Sequence, residues 1–121
     1  MKPSTSYSSS NTAAFLVVGE PKAGKTRFCM SMPVAGIMDC DGNLGSAVRV
    51  AGPKKFFFSE AFRTDDGKEV PEVDRWNHVM KESKALLTHP ETESFVLDGL
   101  SNLCRWGLIH CENELLKAGV N

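Results

Sequence analysis

Apolar and polar positions alternate along this chain in two textures. Short apolar or aromatic runs stand at Phe15-Leu16-Val17-Val18, Val34–Met38, Lys54-Lys55-Phe56-Phe57-Phe58-Ser59 and Ser94-Phe95-Val96-Leu97-Asp98. Such runs suit strands covered on both faces of a parallel sheet. Helical patterns lie between them. One covers Lys25–Met32 and ends at Pro33; another, Leu44–Val50, is closed by Gly52-Pro53. From Val73 onward, Val73, Trp76, Val79, Met80, Ser83, Leu86 and Leu87 share one face, with Lys81, Glu82 and Lys84 opposite. Ser101 is placed to cap a last helix. On that helix Cys104, Leu108, Cys111 and Leu115 form a stripe expected to pack inward. The polar stretch Glu60–Glu72 contains Asp65-Asp66-Gly67-Lys68, which predicts a surface loop or small hairpin. Strands alternating with helices predict an α/β fold: a parallel sheet with helices on both faces and right-handed crossovers.

Composition narrows this picture only a little. The chain has 121 residues, room for one domain, and its 41% apolar and 24% charged residues are ordinary for a globular protein. A net charge of −1 supplies no basic footprint for nucleic acid or an anionic membrane. No apolar run approaches a membrane span. Residues 1–12 are Ser-rich without an apolar signal segment and read as a disordered lead-in to a domain over 13–121. The cysteines Cys29, Cys40, Cys104 and Cys111 include no C-x-x-C pair and are expected to be reduced thiols of a cytoplasmic protein. A metal site of Cys104, His110 and Cys111 is the sharper alternative, although the spacing matches no standard zinc pattern. Phe56-Phe57-Phe58 reads as core in preference to a base-stacking platform beside Lys54 and Lys55. His78 is expected at the surface or its boundary, and His89 in the exit turn before Pro90.

The chemistry concentrates in Gly19-Glu20-Pro21-Lys22-Ala23-Gly24-Lys25-Thr26, which fits the phosphate-loop pattern G-x-x-x-x-G-K-[ST] at every fixed position. Glycines at both ends allow close backbone approach. The N–H groups from Gly19 to Arg27 can then form an anion nest. Lys25 is placed to reach the β- and γ-phosphates and Thr26 to ligate Mg²⁺. Two further segments end strands in carboxylates. Asp39 and Asp41 follow the second strand, where they suit either metal and water handling or simply an Asp/Gly/Asn turn. Asp98 ends the fourth predicted strand, the position from which a carboxylate serves Mg²⁺ in phosphate-loop enzymes.

Three segments in this order resemble a known family. Gly19–Thr26 looks like Walker A and Phe95–Asp98 like Walker B. Ile37-Met38-Asp39-Cys40-Asp41-Gly42 resembles the hydrophobic-Asp-x-acid-Gly segment of RecA-like ATPases. The Trp76 helix followed by Phe95–Leu100 is similar to the short RecA-like ATPases of bacteriophages, the phage AAA-type nucleotide-binding proteins. The resemblance spans roughly residues 15–103. It implies a P-loop fold, ATP and Mg²⁺ as cofactors, Lys25 and Thr26 on phosphate and Mg²⁺, Asp98 in the Mg²⁺ shell, and a setting in the bacterial cytoplasm. Asp41 falls where the family usually has a water-polarising glutamate; being one methylene shorter, it predicts slower hydrolysis. Single-stranded DNA, a second copy of the chain or a recombination protein would be the partners. The family's cores also continue past Walker B, so the chain is expected to be the N-terminal part of such a domain, with no strand between Phe15–Val18 and Phe95–Leu97. A non-hydrolysing assembly module and a small-molecule kinase are the competing functions; the scattered Arg49, Arg63, Arg75 and Arg105 make no Arg-rich lid for the latter.

Overall fold

The computed structural model describes Pro3, residues 14–20 and residues 24–119. The lead-in expected over 1–12 lies, apart from Pro3, outside the described residues. The chain runs α1 (Lys25–Met30), β1 (Ala35–Asp39), α2 (Leu44–Ala51), β2 (Phe57–Glu60), α3 (Arg75–Thr88), β3 (Ser94–Asp98) and α4 (Leu100–Lys117), with a 3₁₀ turn at Glu72–Asp74 before α3. The protein is therefore α/β. Among the described residues the sheet has three parallel strands in the order β2-β1-β3. Each predicted helix is present, with ends shifted by one or two residues.

β1 is the axis of the fold. All five of its residues are buried, because both edges are hydrogen-bonded and both faces are covered. Met38 points to one side, into a cluster with Val79, Leu86, Leu103 and Trp106 from α3 and α4. Ile37 points to the other, with Met30 of α1 and Ala47 and Ala51 of α2. This is the period-two alternation of a strand feeding two cores. Gly36 carries no side chain because Leu86 and Thr92 crowd the place; an added Cβ would lie 3.1 Å from the Thr92 methyl.

The first predicted strand is not formed. Among the described residues Phe15–Val18 pairs with no strand, and Phe15, Leu16 and Val18 are 68%, 77% and 82% exposed. The apolar run has strand character, but a strand exists only where a neighbour takes its N–H and C=O groups. The Phe15 ring meets that of Phe28 of α1 edge-on. The aromatic run divides as well. Phe57 packs toward α3 and Phe58 stands half exposed, since β2 is an edge strand with less cover than a central one.

The stretch after β2 is a small hairpin, closed by Thr64–Lys68 and Phe62–Val70 backbone bonds. The face predicted for α3 holds at Val79 and Leu86, while Val73, Met80 and Leu87 are exposed. His78 and His89 gain partners that the sequence did not reveal. His78 Nε2 lies 2.9 Å from the Glu60 carbonyl, and the His89 ring lies tilted against Phe57 with centroids 4.2 Å apart.

Helix α4 corrects two expectations. Its cap is Gly99, in the left-handed region at φ 109°, rather than Ser101. Its buried face is Leu103 and Trp106, whereas Cys104, Leu108, Cys111 and Leu115 are all exposed. Trp106 wins the interior because its ring meets Phe62 edge-on and lies under the Arg75 guanidinium. Gly107 then lets α4 approach α3, with the Trp76 ring where a Cβ would be. His110 stacks on Trp76, and among the described residues no cluster of three or more His, Cys, Asp or Glu is set to hold a metal.

Trp106 is 2% exposed and joins α4, α3 and the hairpin, so Trp106→Ala should lower unfolding free energy by about 3–5 kcal/mol, measured by urea denaturation.

Candidate functional site

The carboxyl ends of β1 and β3 lie side by side, with Asp39 and Asp98 in register. This is the end of a parallel sheet at which ligands bind. The two strand-ending carboxylates have different work because their surroundings differ.

Asp39 is 2% exposed and turned back onto its own chain. Its Oδ1 accepts the backbone N–H of Asp41, Gly42 and Asn43, at 3.1, 2.9 and 3.2 Å, and its Oδ2 accepts that of Leu44 at 3.2 Å. Four donors supply what water would have given the buried charge. They also fold residues 41–44 into the turn that starts α2. Asp39 thus builds the turn, with three N–H groups on Oδ1 and one on Oδ2.

Asp41 is left exposed at the tip of that turn. Asn102, in the first turn of α4, donates from Nδ2 to both the Cys40 carbonyl and Asp41 Oδ1, each at 3.0 Å. The Asp41 carboxylate lies against Gly99, where an added Cβ would meet Oδ1 at 2.1 Å. Gly99 therefore does two things: its positive φ turns the chain from β3 into α4, and its missing side chain admits Asp41. Asn102 was missed from sequence because an Asn in a helical first turn looks like any polar surface residue. The Asp98-Gly99 pair was the one available signal.

Asp98 is half buried. Burial first, then the charges of Asp41 and Asp39, raise its carboxyl above the ordinary range, while Lys25 pulls in the opposite direction. Three carboxylates so close make a locally negative corner that favours protons or cations. The same corner suppresses thiolate chemistry. Burial, then Asp39, Asp41 and Asp98, push the Cys40 thiol up to about 12, and burial and Asp98 raise Cys29. Both are inert structural thiols at neutral pH.

Lys25 opens α1, and the field it exerts on Asp98 puts the loop beside this corner. Its ammonium donates to the Gly19 carbonyl and, at 3.1 Å, to that of Glu20. Those bonds tie the start of the loop to its end. Gly24 stands at the cap of α1 with φ 97°. That positive φ is a conformation that favours glycine, and among the described residues an added Cβ would meet no atom within 4 Å. Thr26 is half exposed and Arg27 exposed, while Pro21, Lys22 and Ala23 lie outside the described residues. α1 is only six residues long. Two surface clefts among the described residues, about 350 Å³ beside Phe57 and about 430 Å³ beside Arg63, lie elsewhere.

The raised Asp98 carboxyl has a consequence for stability. A group whose folded pKa exceeds its unfolded value binds more protons when folded, so stability falls as pH rises from the unfolded through the folded pKa. Asp98→Asn should therefore be more stable than the parent at pH 7 in plain buffer without added ligand or divalent cation. That gain should vanish below the ordinary carboxylate range, as read from melting temperatures across pH.

No protein-family model, curated protein or solved structure matches the chain.

Proposed function

We propose that the chain is a P-loop nucleotide-binding module of RecA-like type that binds ATP with Mg²⁺ and hydrolyses it slowly, in the service of phage-type DNA recombination or replication. The observation that carries the nucleotide reading is the convergence of three separate segments on one sheet end: Lys25 from the loop, Asp41 after β1 and Asp98 ending β3. The motif G-x-x-x-x-G-K-[ST] supplies the phosphate chemistry, and the carboxylates supply an excess of negative charge that a cation would offset. The role in DNA metabolism comes from the resemblance in motif order, with single-stranded DNA as the expected stimulus of turnover.

The donor set fits Mg²⁺. A hydroxyl (Thr26) and one carboxylate (Asp98) are hard oxygen ligands of the kind Mg²⁺ takes beside nucleotide phosphates and water. Bound there, Mg²⁺ would neutralise charge on the β- and γ-phosphate oxygens. Lys25 would exchange its bonds to the Gly19 and Glu20 carbonyls for phosphate oxygens. Asp41 would accept a proton or hydrogen bond from the attacking water. Asn102, bonded to its Oδ1, would hold the carboxylate in place for that role. Catalysis would consist mainly of positioning and charge stabilisation.

Lys25→Ala should weaken ATP binding at least tenfold in calorimetry; an unchanged affinity removes the lysine from the site. Asp41→Asn should leave ATP affinity near the parent's and lower turnover by about a hundredfold, the usual scale for a general base. Turnover that survives this substitution would show that another group orients the water. Asn102→Ala should lower kcat by about tenfold with little change in KM, as expected when only the aim of the base is lost. Phosphate release measured with and without single-stranded DNA addresses the proposed setting: stimulation supports it, and indifference removes the DNA role while leaving the nucleotide site standing.

A further inference from the structure

Helix α4 presents an apolar stripe that the fold itself leaves uncovered. Cys104, Leu108, Cys111 and Leu115 are exposed, Leu108 by 69% and Leu115 by 52%. At 100° per residue the stripe lies roughly 140° around the helix from the Leu103–Trp106 face that enters the core. Its residues follow one another in steps of four, three and four. That is the alternating spacing of a coiled-coil seam, in which such residues pack against a facing helix.

The stripe is complementary to itself when turned end over end. In an antiparallel pair with a two-fold axis between Leu108 and Cys111, Cys104 falls opposite the partner's Leu115 and Leu108 opposite the partner's Cys111. Each layer then joins a small and a large side chain, which interdigitate without a void. Charge favours the same register. Arg105 and Glu112 flank the seam on one side, and the two-fold axis brings each beside the other's counterpart, giving two ion pairs. In a parallel pair the same side chains would face Leu100 and Gly107, with no attraction. Arg105 already reaches Glu72 at 2.7 Å, and its guanidinium has donors enough for both carboxylates.

We propose that the outer face of α4 is a self-association surface on which a second copy of this chain docks antiparallel, independently of nucleotide. The contact is one helix wide, so the dimer is weak and forms in the micromolar range. It leaves the candidate nucleotide site of each copy on its own sheet end.

The test uses the full chain in sedimentation equilibrium at rising concentration, followed by cross-linking. The parent should reach twice the chain mass at high micromolar concentration. Leu108→Lys should remain monomeric with an unchanged circular dichroism spectrum, and Leu116→Lys, an exposed leucine off the seam, should dimerise as the parent does. Leu108→Cys should give a disulfide-linked dimer under oxidised glutathione, since the new thiol faces Cys111 of the partner subunit. The parent should not, because antiparallel packing keeps its own cysteines apart. A monomer at every concentration overturns the proposal and leaves the stripe to a different chain. Efficient cross-linking of the parent, or of Leu116→Cys as readily as Leu108→Cys, overturns the antiparallel register.

Discussion

The buried carboxylate of Asp39 is the constraint on which the rest of the sheet end depends. A charge at the end of a fully buried central strand would be prohibitively costly if left unpaired. Here it is surrounded by four backbone N–H groups, all from the next five residues. The bonds that solvate the charge also set the turn, so electrostatic compensation and chain direction are one event. That turn lifts Asp41 to the surface, starts α2, and leaves room for α4 to enter behind Gly99.

From that turn the candidate site follows by contact. Asp41 rests on the backbone of Gly99 and is held by Asn102, so β1 and α4 are joined through a carboxylate and an amide. Asp98 feels both acidic positions and Lys25, and its carboxyl is raised first by burial and then by the like charges of Asp41 and Asp39. Such local cost is common where a site is built to receive an ion of the opposite sign. The half-buried Cys29 and the buried Cys40 are kept protonated first by burial and then by the same negative field.

Helix α4 shows how packing overrides pattern. Two apolar faces compete on it, one with Cys104, Leu108, Cys111 and Leu115, the other with Leu103 and Trp106. Periodicity rates the first more highly because its spacing is regular. The interior takes the second because Trp106 offers the larger apolar area and a ring that Phe62 and Arg75 can cover. The regular stripe is left outside, where its very regularity makes it fit a facing helix.

The sequence by itself determined the α/β alternation, the order of the elements from Lys25 onward, the G-x-x-x-x-G-K-T spacing of residues 19–26 and the strands that end in Asp39 and Asp98. These are local properties: side-chain periodicity, turn formers, and a carboxylate at the end of an apolar run. Only the tertiary structure decided the strand order β2-β1-β3, because pairing depends on which edges meet and not on strand character. Among the described residues the same fact leaves Phe15–Val18 unpaired despite a good strand pattern. Tertiary structure also separated Asp39 from Asp41, since two aspartates one residue apart look alike until the donors around each are counted. It chose the buried face of α4 and revealed Asn102, whose role exists only because α4 starts beside a turn some sixty residues earlier in the chain.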